Sequence, residues 1–252
     1  MTADQLRYEL KKVANPEKAA ILSRFFKTGK GDYGEGDKFL GVVVPAQRKI
    51  VRQYFAAPGG TSVRLALSVA GELLQGEFHE ERFIALLILV EQYKRGGDGD
   101  KELVFRFYMK HLGRVNNWDL VDVSAPNIVG DYLLTRDSLL LFKLAKSKNM
   151  WERRVAMLAT FAFIRNGRFA ETMALAELLL IQEKDPQDLM HKATGWMLRE
   201  VGKRDRQTLE NFLAPFAALV PRTALRYAIE KFPEADRRQY LTRGRTSKSL
   251  RD

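Results

Sequence analysis

The stretch Ser62-Val63-Arg64-Leu65-Ala66-Leu67-Ser68-Val69-Ala70-Gly71-Glu72-Leu73-Leu74 decides the fold class. Val63, Leu65, Ala66, Val69, Leu73 and Leu74 recur mostly three or four residues apart, the spacing that gives a helix one apolar face. Thr61-Ser62, just ahead, supplies a cap for the first orphan N–H groups. The pattern extends in both directions. Eight prolines (Pro16, Pro45, Pro58, Pro126, Pro186, Pro215, Pro221 and Pro233) fall at or near expected helix boundaries, and the segments between them keep the helical spacing. Helices are expected over 3–14, 16–27, 45–57, 62–75, 78–95, 100–112, 117–134, 136–147, 150–166, 169–182, 186–203, 205–214 and 221–231. The best strand candidate, Val42-Val43-Val44, is cut off by Pro45 after three residues. Links of mostly two to five residues force consecutive helices antiparallel, and such pairs in series stack as a solenoid. The expected fold is therefore all-α, a HEAT-like helical-repeat solenoid with a concave basic groove. Self-similarity at a fixed period is weak, so a non-repetitive helical domain stays open as the alternative. A single domain is expected over 1–236, followed by a basic tail over 237–252.

Composition removes whole classes of chemistry. The 252 residues include no cysteine and only three histidines, His79, His111 and His191, at unrelated spacings. Disulfides, thiol nucleophiles and thiolate metal sites are excluded, and neither a metal nor a cofactor is expected. The net charge is +11 and the pI about 9.8, the range in which a polyanionic partner comes first. Arg237, Arg238, Arg243, Arg245, Lys248 and Arg251 against Asp252 put +5 of that on the tail and leave +6 on the body. The longest apolar run, FIALLILV at 83–90, has the length of a buried helix rather than a membrane span. With no charged-then-apolar leader visible, a cytoplasmic protein is expected.

The glycine-rich segment 28–38, TGKGDYGEGDK, lacks the GK[ST] ending of a phosphate loop and follows no strand. It is read as a flexible rim before Phe39-Leu40-Gly41, which dock the next helix.

Three groups could carry chemistry. In Asn116-Asn117-Trp118-Asp119-Leu120-Val121-Asp122-Val123-Ser124-Ala125-Pro126, a cap at Asn117 starts a helix that puts Trp118 and Asp122 on one face. Asp119 is a first-turn acid, favoured by the helix dipole. Pro126 has no N–H for the Asp122 carbonyl, so a kink is expected there. Two readings of Asp122 are open: a carboxylate placed beside an indole for use, or a buried cap on a neighbouring helix with Trp118 in the core. On the 186–203 helix, Lys192, Trp196 and Arg199 share a face beside Gly195, whose missing side chain leaves room for close approach. Cations around an aromatic suit a sugar-phosphate contact, or a packed indole with snorkelling neighbours. Third, Arg153-Arg154 and Arg48 sit in first turns, unfavourable for the dipole unless they are solvated or hold an anion.

Taken in order, Asn15-Pro16-Glu17-Lys18, Phe39-Leu40-Gly41 with Pro45 and Arg48, Trp118-Asp119 with Asp122, Pro126 and Gly130-Asp131, Arg153-Arg154, and Lys192-Ala193 with Gly195-Trp196, Leu198, Arg199 and Glu200 resemble the DNA alkylation repair family of HEAT-like-repeat DNA glycosylases (AlkD type). The resemblance runs over most of the chain. It implies hydrolysis of the N-glycosidic bond of cationic N3- or N7-alkylated purines in double-stranded DNA, as a step of base excision repair and with the lesion left stacked. It also implies Asp122 as the catalytic carboxylate and Trp118 and Trp196 as the indoles lining the site. Arg154 would contact the backbone at the lesion, with Arg199, Lys192 and Arg48 as further phosphate contacts. A groove for duplex DNA needs one chain, so a monomer is expected. Two other readings remain open: a non-catalytic helical scaffold that binds nucleic acid, and a protein-interaction solenoid with an incidental basic tail.

Overall fold

Side-chain caps open several helices of the computed structural model, which describes residues 1–57 and 61–243. Thr2 caps α1 (Ala3–Lys12) in a reciprocal box with Gln5. Asn15 accepts the Lys18 N–H at 2.9 Å to open α2 (Pro16–Phe25), with Pro16 in the first turn. Ser62 accepts the Leu65 N–H to open α4 (Val63–Leu74), as its sequence suggests. Between them α3 runs Val44–Ala56. Val42-Val43-Val44 forms no strand. Val42 is buried in a turn, Val43 is the N-cap of α3 and Val44 its first residue. Among the described residues, pairing of strand type is confined to an isolated bridge between Lys38 and Phe78.

The chain divides into two compact units, Met1–Ile128 and Val129–Asp252. At the centre of the first is α5 (His79–Arg95), which packs against α1, α3, α4, α6 (Asp98–Lys110) and α7 (Trp118–Ala125). Every residue of its FIALLILV run is buried, so a helix apolar on all sides has neighbours on all sides. Glu80, in its first turn, is also buried. Its carboxylate accepts the N–H groups of Leu40, Gly41 and Val42 at 2.9, 2.8 and 3.1 Å, which ties the segment before α3 to α5. Gly41 makes that turn at φ +81°, and a Cβ there would lie 2.0 Å from the Asn15 carbonyl oxygen.

The helix expected over 117–134 is broken at its proline. α7 ends at Ala125, a π-turn covers Pro126–Gly130, and α8 is a single turn, Asp131–Leu133. Pro126 cannot donate to the Asp122 carbonyl, and the widened turn is how the chain absorbs that missing bond.

In the second unit α9 (Leu139–Ala145) packs on α10 (Met150–Arg165), which also meets α11 (Ala170–Glu177) and α12 (Asp188–Gly202). α12 in turn packs on α13 (Arg206–Phe216) and, most extensively, on α14 (Arg222–Ala228). A last helix, α15 (Glu234–Arg243), was not expected. The boundary expected between domain and tail, at 236/237, falls inside it, and its Tyr240 is buried against Phe232. The rest of the expected tail, 244–252, lies outside the described residues. The fold is all-α and of helical-repeat type, and no described helix is long and apolar enough to cross a membrane.

Candidate active site

Asn117 is fully buried at the cap of α7, and its Oδ1 accepts the Trp118 N–H at 2.8 Å. Trp118 and Asp122 follow one helical turn apart, both half-buried. Around them Leu120, Val121, Ser124 and Ala125 face the core, and Ser124 is held by the Tyr108 hydroxyl at 3.0 Å. The Trp118 indole lies flat on Phe26, with centroids 5.0 Å apart and planes 7° from parallel, and Phe25 meets it edge-on at 5.9 Å. Phe25 itself is 62 % exposed.

Behind the indole stands a network that the sequence did not disclose. His79, 2 % exposed, places Nε2 2.8 Å from Asp119 and Nδ1 3.0 Å from Asp37. Asp37 also takes the Arg82 guanidinium and, at 3.1 Å, the Asn117 side-chain N–H. Phe39 stacks on the imidazole at 4.6 Å and Phe26 leans on it at 5.0 Å. Burial alone would lower the His79 pKa, but its hydrogen bonds to Asp119 and Asp37 raise it to about 9. Burial would likewise raise Asp37, yet His79, Arg82 and Asn117 hold it at about 2. The segment read as a flexible rim thus ends in a residue fastened to α5 and to the cap of α7. Asp119, read as a first-turn acid, has a specific partner 40 residues away.

Arg48 is exposed on α3, beside a cleft of about 350 Å³ with Val51, Phe55, Leu87 and Val90 as its apolar side and Arg52, Lys94 and Arg95 as further cations. The other candidates belong to the second unit. Arg154 is 5 % exposed and donates to the Leu189 carbonyl at 2.7 Å. Its neighbour Arg153 is taken by Asp185 at 2.5 Å and by the Ser147 and Lys148 carbonyls. Lys192 pairs with Asp188 at 2.7 Å, and Arg199 pairs with Glu230. Half-buried Trp196 touches Phe161 at 5.9 Å and donates its indole N–H to Glu200 at 3.3 Å. Burial would raise the Glu200 carboxyl, but Lys203 and Arg204 bring it below its ordinary value. What comes close to Gly195 is α14, since a Cβ there would lie 2.5 Å from the Ala224 oxygen and 2.6 Å from Tyr227 Cβ. This glycine serves helix packing, not the approach of a ligand.

The structure therefore puts Trp118 and Asp122 side by side on α7, and Lys192, Trp196 and Arg199 together on α12. Among the described residues no three His, Asp or Glu side chains are grouped so as to hold a metal ion.

No curated protein matches the chain. Among solved structures, a predicted DNA alkylation repair enzyme from Enterococcus faecalis is similar over 88 % of this chain and 97 % of that one, with a TM-score of 0.67 at 18 % identity, a likeness of fold. The family model described as DNA alkylation repair enzyme matches residues 6–232, nearly the whole of both units. On that match the chain belongs to the DNA alkylation repair enzyme family.

Proposed function

We propose that the chain is a monofunctional DNA glycosylase of base excision repair that acts without a cofactor. It hydrolyses the N-glycosidic bond of purines made cationic by alkylation at N3 or N7, 3-methyladenine and 7-methylguanine among them, and leaves an abasic site in duplex DNA. One observation carries this reading: in a family of DNA alkylation repair enzymes, α7 sets a half-exposed carboxylate one turn from a half-exposed indole backed by Phe26.

The chemistry asked of such a pair is modest. An alkylated purine already bears positive charge, so it departs as a neutral base when the bond from C1′ to nitrogen breaks and the electron pair stays on the base. The sugar is left as an oxocarbenium cation. Asp122 supplies the opposite charge and accepts a proton from the water that adds at C1′. The electron-rich face of Trp118 favours the same cation. No acid is needed to protonate the leaving group, and no pocket is needed to read the base, so the lesion need not leave the stack. Trp196, Lys192, Arg199 and Arg154 in the second unit and Arg48 in the first are assigned to DNA binding, with Trp196 at the lesion.

Purified protein, with no metal added, should release 3-methyladenine or 7-methylguanine from alkylated duplex DNA. Asp122→Asn should lower the single-turnover rate by a factor on the order of 10² or more, with DNA binding retained. An unchanged rate in that variant removes Asp122 from the mechanism. Salt-sensitive binding with no base release by the wild type would instead favour a non-catalytic scaffold.

A further inference from the structure

We propose that the His79 imidazolium, clamped between Asp37 and Asp119, is a positioning group that holds the start of α7, and with it the Trp118 indole, in its working place only while the imidazole is charged. The inference rests on the glycosylase reading for what Trp118 does, and on the geometry alone for what holds Trp118.

Both ring nitrogens of His79 face carboxylate oxygens, Nε2 toward Asp119 and Nδ1 toward Asp37. A neutral imidazole has one N–H, so one of these contacts would then set a lone pair against a carboxylate. Only the imidazolium donates to both. The ring is buried, with Phe39 and Phe26 against it. An unmatched charge there is costly. With His79 charged, each of the two carboxylates has a donor from the ring. Loss of the His79 proton leaves one of them facing a lone pair instead.

The groups that face this cluster come from every side. Asp37 and Phe39 arrive on the segment before α3, Asp119 and Asn117 from α7 and its cap, and Arg82 from the next turn of α5. Arg114, on the 3₁₀ turn Leu112–Arg114, adds positive charge toward Asp37 and Arg82 while it donates to the Leu74 and Gly76 carbonyls. On α1, Arg7 is engaged by Glu81 rather than by this cluster.

Two independent links carry the state of His79 to Trp118. One is polar: Asp119 directly follows Trp118 on α7, and Asp37 holds the Asn117 cap whose side chain accepts the Trp118 N–H. The other is apolar, since Phe26 lies between the imidazole and the indole and touches both. When the cluster loses its proton, the contact that must give way is either Asp119, at the first turn of α7, or Asp37, at its cap. Either change reaches Trp118 within one residue.

The experiment follows two signals of the full chain by NMR from about pH 6 to about pH 10: the ring nitrogens of His79 and the indole N–H of Trp118. Both nitrogens should be protonated at neutral pH, and the Trp118 resonance should move with the same midpoint as His79. His79→Gln and Asp119→Asn should each lower kcat for base release roughly tenfold or more, with KM changed less than about twofold. If His79→Gln does not fold, Asp119→Asn and the wild-type titration decide. A His79 neutral at pH 7, or a Trp118 resonance flat through the His79 titration, overturns the proposal. So do variants that lose thermal stability but keep the wild-type kcat. If the wild type releases no base at all, the glycosylase reading fails, while the two resonances still show whether His79 holds Trp118.

Discussion

His79 and Asp37 give stability a defined pH window. The folded state raises His79 from 6.5 to about 9, so it binds that proton more tightly than the unfolded chain does. The stabilisation is complete below pH 6.5 and is lost as pH rises through about 9. Asp37 runs the other way. Lowered from 3.8 to about 2, it stabilises above pH 3.8, and the benefit goes as pH falls through about 2. Urea denaturation should therefore find a plateau from about pH 4 to about 6.5, and the His79 contribution lost by pH 10 should be on the order of 3 kcal/mol. His79→Gln should abolish the alkaline slope. A variant that retained the whole slope would place its origin in another group. None of this was legible in the sequence. His79, Asp37 and Asp119 are separated by about 40 residues each, and no local rule joins a histidine at the start of one helix to an acid in a glycine-rich turn. Trp118 and Asp122 were legible because helical spacing alone sets them on one face.

Among the elements, the helices were readable where a strong local signal stood out: a cap and a proline in α2, a cap and an apolar stripe in α4, an unbroken apolar run in α5. The break after α7 was readable for a related reason. A proline four residues past Asp122 removes a specific bond, although the sequence could not say that a π-turn would result. α15 was missed because its first turn lies next to a run of arginines, and the run was read by its charge. Arg237 and Arg238 instead pair with Glu234 one turn away, while Tyr240 supplies the anchor. Gly195 was misread, because room beside an indole and room for a crossing helix look alike in one dimension. The distances settle which it is. Gly195→Ala would put a methyl group 2.5 Å from the Ala224 oxygen and force α12 and α14 apart, against their most extensive contact. We expect a loss of about 1–3 kcal/mol in chemical denaturation. A stability equal to wild type would mean that α14 yields easily, and the close approach would then not be what fixes this glycine.

On the scale of the whole molecule, the net charge of +11 makes binding to a polyanion favourable at a distance, but not every cation is placed to touch one. Exposure sorts them. Arg48 is exposed on α3 near Arg52, Lys94 and Arg95, whereas Arg154 is 5 % exposed and bonded to the Leu189 carbonyl. A phosphate contact at Arg48 releases counterions, and its removal should weaken binding to undamaged and alkylated duplexes alike. Arg48→Ala should then reduce the slope of log K against log salt by about one, with folding stability unchanged. Arg154→Ala removes a buried side chain and its bond to the Leu189 carbonyl and should cost about 1–3 kcal/mol of stability. Anisotropy titrations of an undamaged duplex between about 50 and 200 mM salt, set beside urea denaturation of the same variants, measure both quantities. If Arg48→Ala keeps the full salt slope, Arg48 is a solvated surface charge and the backbone contact lies elsewhere on the first unit. If Arg154→Ala keeps full stability but loses binding, the Leu189 bond is a resting place from which the guanidinium moves to meet DNA. An Arg154→Ala variant that binds both duplexes as tightly as the wild type would remove Arg154 from the DNA contacts.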